Sequence, residues 1–179
     1  MEALQKADDG NFLRSLADIF LALGDAETAH KMHVEAFEVQ QQAGIQVMLP
    51  WLHLVRAYSS WKVGQYEEVD VHIDHALRAC TEHTDDYTAV HALLFLAQVV
   101  ATQGNLERAV EIGAAARAVS RWERSLTGRK VFVEPLEELT RNLSPELAAA
   151  AKARGRNRDI WTIAVEFLDE IKGPIWQWA

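Results

Sequence analysis

One cysteine, four prolines and nine glycines in 179 residues leave few means of stapling or interrupting the chain. Cys80 alone can form neither an internal disulfide nor a thiolate zinc site, which suits a reducing compartment, and it reads as a small buried residue of a helix. With so little proline and glycine beside abundant Ala, Leu and Glu, helix is favoured over sheet, and long disordered tracts are not expected. No run of about 18 apolar residues is present to span a membrane. Residues 1–10 carry Glu2, Asp8 and Asp9 and no apolar run, so they are not a signal peptide, and a cytoplasmic location is the default. No Gly-x-x-x-x-Gly-Lys-Ser/Thr loop occurs, so nucleotide binding is not expected. No Cys–His pairing, paired acid or Ser–His–Asp constellation has a local context that singles it out. We therefore expect no enzyme, cofactor or metal.

What the sequence does contain is a repeat. Gly24, Gly64 and Gly104 are evenly spaced along the chain, and each carries the same company. Ala17, Ala57 and Ala97 precede them by seven residues; Glu27, Glu67 and Glu107 follow by three; Ala29, Val69 and Ala109 by five; Ala36, Ala76 and Ala116 by twelve. A unit of this length cannot bury its own apolar face, so neighbours must stack into a continuous core.

Within a unit the pattern is that of paired helices. Phe12, Leu13, Leu16, Ile19, Phe20 and Leu23 fall at spacings of three and four, the period of a helix burying one side. Gly24 can close that helix in the left-handed conformation, and Asp25 can cap the next, over residues 26–42. The same order predicts helices over 50–63 and 66–81, then 87–103 and 106–120, with Pro50 in a first turn and Asp86 as a cap. Residues 123–179 are not a further copy. Val131 to Leu143 is apolar with Pro135 inside it; Ser144-Pro145-Glu146 starts a short helix to about Ala153; Asp159 caps a last one over 160–171.

A 40-residue period suits HEAT or armadillo arrays as well as tetratricopeptide repeats, whose usual period is about 34. The small residues seven before, five after and twelve after the turn glycine decide between them. They stand where tetratricopeptide helices press together, and Gly64-Gln65-Tyr66-Glu67-Glu68-Val69 and Gly104-Asn105-Leu106-Glu107-Arg108-Ala109 resemble that family's turn. The resemblance implies an all-α, right-handed superhelical solenoid with C-terminal capping helices. Three hairpins would lie within 10–122 (about 10–49, 50–86 and 87–122), with a cap over 123–179. Residues 1–9 align with the link between repeats (Ala3 with Ala43), so they read as the end of a preceding repeat in a longer protein. The last part, from Ala109-Val110-Glu111-Ile112-Gly113 through the Ala-rich helix to Gly155-Arg156, resembles the tail of bacterial signal-transduction ATPases and MalT-like, LuxR-type transcriptional regulators. Asp159 in place of a Ser cap, Trp161-Thr162 in place of an acidic pair, and Pro135 depart from that tail.

The family resemblance also implies where a partner would lie. Residues 2, 5, 9 and 12 of each first helix face the concave groove; here they include Arg14 and Asp18; Trp51, Leu54, Tyr58 and Trp61; and His91, Leu94 and Gln98. Trp51, Leu54, Tyr58 and Trp61 form one stripe of anchors suited to a protein or peptide. If the longer links rotate that helix, the stripe is core, the commoner fate of such a pattern. His30/His33 and His72/His75, each spaced i,i+3 with Asp70 and Asp74 beside the second pair, offer at most two ligands on a face, fewer than zinc usually takes. Solvated helix residues are the commoner outcome.

Charge is uneven: residues 1–115 carry a net −10 and residues 116–179 a net +2. Nucleic acid is not expected on the repeats. The basic run Arg117, Arg121, Arg124, Arg129 and Lys130, with Trp122, is the one stretch that could meet it, although acids follow closely. Trp176 and Trp178 are expected to dock on the last hairpin or on a neighbouring molecule. The partners expected are therefore a protein or peptide, upstream domains of a longer chain, or a second copy of the chain, with no membrane.

Overall fold

Each of the three repeat glycines closes a helix in the same way. Gly24, Gly64 and Gly104 have φ of +89°, +79° and +87°, which side chains with a Cβ rarely adopt. At each turn the glycine N–H donates to the carbonyl three residues back, and the next residue donates to the carbonyl five back: Asp25 to Phe20 at 3.0 Å, Gln65 to Ser60 at 2.9 Å, Asn105 to Val100 at 3.1 Å. Both orphan carbonyls of the helix end are thereby satisfied. Asp25 then caps the following helix by accepting from Thr28 N at 3.0 Å.

The computed structural model describes the backbone of residues 2–44, 48–119 and 127–171, and the side chains among these from residue 8 onward; no strand occurs among them. The helices are α1 (Glu2–Ala22), α2 (Ala26–Gln42), α3 (Leu49–Lys62), α4 (Tyr66–His83), α5 (Asp86–Thr102), α6 (Leu106–Val119), α7 (Glu134–Leu139), α8 (Pro145–Gly155) and α9 (Ile160–Glu170), with a π-helical turn at Gly128–Val133 leading into α7. Residues 2–9, expected as a link, are helical and form the start of α1. The cap of α5 is Asp85, whose carboxylate accepts from both Thr88 N and Thr88 Oγ1, rather than Asp86. Ser144 and Asp159 cap α8 and α9 as expected, accepting from Leu147 N and Thr162 N.

A second set of turns keeps the same step along the chain. Gly44, at φ +71°, ends α2, and Thr84, at φ +52°, holds the equivalent place in the next repeat, where α4 ends and Asp85 N reaches back to Cys80 O. A β-branched residue in the left-handed region is strained by about 1–2 kcal/mol. Thr84→Gly is therefore expected to stabilise the protein by about 1 kcal/mol and raise Tm by roughly 3 °C in calorimetry. A fall in Tm would mean that the 2.8 Å bond from Thr84 Oγ1 to His83 O outweighs the strain.

The chain forms two compact units, Met1–Ala76 and Leu77–Ala179. In the first, α2 packs on both α1 and α3; in the second, α5 and α6 pair, α8 lies on α6, and α7 and α9 contact α5. All nine recurring small residues, from Ala17 to Ala116, are fully buried, as close helix contact requires. Cys80 is buried too, and burial pushes its thiol up to about 12. The apolar face expected on α1 is covered only in part: Phe12, Ile19 and Leu23 are 68%, 53% and 77% exposed. The positions one repeat on from Phe12 and Ile19, namely Leu52 and Ser59, are buried, and Ser59 bonds His30 of α2. Among the described residues of the first unit, no helix stands to α1 as α2 stands to α3.

Candidate functional site

In the first unit the residues expected to face a partner mostly face inward. Asp18 is buried and held on both oxygens, by Arg14 Nη1 at 3.0 Å and by His33 Nε2 at 3.2 Å. Its role is thus to pair α1 with α2, beside a second polar link in which Gln40 Nε2 donates to Asn11 Oδ1 at 2.9 Å. Trp51, Leu54 and Tyr58 are buried as well. The reason is that nine of the fourteen residues of α3 are buried, on every side of the helix, so neither of its faces is an open groove. Trp61 alone of the stripe is half-exposed; with Lys62, whose ammonium lies 5.1 Å from its ring centroid, it lines a polar cleft of about 570 Å³ between the Gly24 and Gly64 turns.

The histidines of this unit find partners on neighbouring helices rather than along their own. His53 Nδ1 and His72 Nδ1 lie 2.8 Å apart, so one imidazole donates its Nδ1–H to the bare Nδ1 of the other. The His75 ring lies 4.8 Å from that of His53, Phe37 packs edge-on against His53 and His72, and the Arg56 guanidinium sits over Phe37. Burial, then the neighbouring positive groups, hold His53 down at about 3 and His72 at about 4. His30, lowered by burial, meets Ser59 at 3.3 Å. Among the described residues no three such side chains converge on a metal position.

In the second unit the groove side of α5 is filled by the chain itself. His91, Leu94 and Gln98 are buried, and so is every residue from 88 to 101. Gln98 Nε2 donates to Val131 O at 3.1 Å and to Phe132 O at 3.1 Å, two carbonyls of the π-helical turn, and Pro135, four residues after Val131, has no N–H to offer. The Phe132 ring meets His91 edge-on at 5.2 Å, and His91 Nδ1 donates to Tyr87 O at 2.8 Å. A sequence signal for this was available: α5 is apolar on all sides, which a half-exposed groove helix is not.

The described residues of this unit also form an open cleft that the repeat pattern does not announce. Between α6, α7 and α8 lies a cleft of about 660 Å³. Its apolar floor includes Ala114, Leu136, Leu143 and Ala148, and Arg117, Arg141, Lys152 and Arg156 stand around it, with Glu137 as the one acid among the described residues. Gly113 makes room for the floor, since a Cβ there would stand 2.8 Å from Leu136 Cδ2. No family model, curated protein or solved structure matches this chain.

The cleft's chemistry is that of reversible binding: an apolar base, cationic edges, and exposed ion pairs such as Arg117–Glu137 at 3.1 Å that cost little to exchange. Of the basic run, Arg129 and Lys130 both pair with Glu134, while Arg121, Trp122 and Arg124, like Trp176 and Trp178, lie outside the described residues. No helix among the described residues is long and apolar enough to cross a membrane.

Proposed function

We propose that the protein is a non-enzymatic scaffold for protein–protein interaction, a tetratricopeptide-type solenoid serving as the cytoplasmic C-terminal sensor arm of a bacterial transcriptional or signalling regulator. The observation that carries this reading is the threefold turn at Gly24, Gly64 and Gly104 with its nine fully buried small residues, since a chain organised around stacked backbones offers shape rather than reactive groups. The uncovered apolar positions Phe12, Ile19 and Leu23 support it further, because they are where the second helix of a preceding hairpin would pack. Occupancy of such an arm acts by favouring one placement of it against the rest of the regulator.

Sequencing the reading frame around this segment tests the proposal. A phosphate-binding Gly-x-x-x-x-Gly-Lys-Ser/Thr loop and a helix-turn-helix encoded in the same frame are the expected finding. A frame that encodes neither, with transcript levels unchanged on its deletion, would overturn the regulator reading in favour of a stand-alone adaptor. The cleft of about 660 Å³ favours a second reading, a receptor for a sugar or short peptide inducer. A saturating ligand at about 100 times its Kd adds roughly 2.7 kcal/mol, visible in a thermal-shift screen.

A further inference from the structure

We propose that the cleft between α6, α7 and α8 is a docking site for an acidic amphipathic peptide segment, held by its apolar side chains on the floor and by its carboxylates at the rim. This rests on the scaffold reading and names the partner's chemistry. The charge argument comes first. The chain carries a net −8, yet among the described residues four cations and one carboxylate line this cleft. Those cations come from three separate stretches of the chain. Arg117 is on α6, Arg141 follows α7, and Lys152 on α8 and Arg156 at its C-terminal cap are four residues apart, in line with Ala148 of the floor.

That arrangement discriminates between ligand classes. A fatty acid would use the floor and a single cation; a free polyphosphate would use the rim and leave the floor wet. Only a ligand that presents several negative charges around apolar side chains uses both, and a helical or extended peptide with Glu or Asp flanking Leu-like residues does so. The existing rim pairs do not forbid it. Arg117–Glu137 and Arg141–Glu138 are exposed, so exchanging their partners for a peptide carboxylate costs little.

The test uses the full chain and a fluorescein-labelled peptide of roughly four helical turns, with Leu at i, i+3, i+4 and i+7 and Glu elsewhere. Saturable anisotropy change, weakening as salt is raised, is expected. Lys152→Glu/Arg156→Glu should lower affinity at least about tenfold, and Lys152→Gln/Arg156→Gln by less, while Lys31→Glu in the first unit should leave it unchanged. All three sites are exposed, so circular dichroism should match the parent protein. Equal binding by the charge-reversed protein, or equal binding of a sequence-scrambled peptide, would overturn the proposal. Full displacement by laurate or by inorganic triphosphate would overturn it in favour of a small anionic ligand. None of these outcomes touches the reading-frame test, so failure of the cleft assignment is distinct from failure of the scaffold reading.

Discussion

Acidifying the protein from pH 7 to pH 4 is expected to strip hydrogen-exchange protection from α2, α3 and the part of α4 that belongs to the first unit. The cause is the pair His53–His72. Their 2.8 Å Nδ1···Nδ1 bond needs one bare nitrogen, so protonating both rings sets two N–H groups head to head, and protonating either one places a buried charge beside Arg56. The surroundings offer little relief. From α2, Phe37 and His30 face the pair; from α3, Arg56; from α4, His75, with Glu68 engaged by Arg56 and Ser60. In the unfolded chain both rings titrate near 6.5, and in the folded protein near 3 and 4. The unfolded chain therefore binds more protons throughout that interval. Stability is fully present above pH 6.5 and is lost as pH falls towards 3. Allowing for the partial exposure of His53, the loss is roughly 2–4 kcal/mol for the pair, a large share of a small domain's margin. His53→Leu/His72→Leu should move the acid midpoint downward, whatever it does to stability at pH 7. Undiminished protection of α3 at pH 4, or an unmoved midpoint in the double variant, would remove the pair as the cause.

The parts of this protein that could be read ahead of the coordinates are those where one residue type answers a backbone requirement. A glycine at positive φ and an alanine at a helix crossing have few substitutes, so their regular recurrence located the turns and the packed seam. Partners distant in sequence leave no such local mark. Whether His91, Leu94 and Gln98 face an open groove depends on where residues 128–139 lie, and nothing near Gln98 in the sequence shows that its amide meets the Val131 and Phe132 carbonyls. Asp18 looked like a groove residue because helical register alone cannot show that His33 stands opposite it. Thr84 carries no glycine signature, because at that turn the chain keeps the left-handed conformation while changing the residue. The cleft sets the outer side of α6 against α7 and α8, which lie outside the repeat and are each too brief for their periodicity to announce a face.

Replacing Gly155 by alanine is expected to dislodge α8 from α6 and to cost more than about 3 kcal/mol, the far end of what overpacking does. A Cβ at this position would stand 2.1 Å from Glu111 O and 2.9 Å from Ala114 Cβ. The first is backbone inside a helix and cannot rotate away, so relief comes only by moving a helix. That movement also pulls on the ion pairs that tie the two helices. Arg154 Nε meets Glu111 Oε2 at 2.8 Å, Arg158 Nη1 meets Glu111 Oε1 at 3.3 Å, and Arg154 reaches Glu107 at 3.3 Å. Desolvation pushes the Glu111 carboxyl up, yet the hydrogen bonds from Arg154 and Arg158 outweigh it and hold it below its ordinary value, so this contact is present only while the helices stay close. Ala149→Leu, on the exposed side of the same helix, should shift stability by less than about 0.5 kcal/mol. Urea unfolding of the two variants measures the difference directly. Because Ala148 and Lys152 ride on α8 and Arg156 caps it, Gly155→Ala should also abolish peptide binding at the cleft under conditions where circular dichroism still reports a helical protein. A Gly155→Ala protein with parental stability would mean that α8 does not rest on Glu111 at all, and the cleft would lose one of its walls.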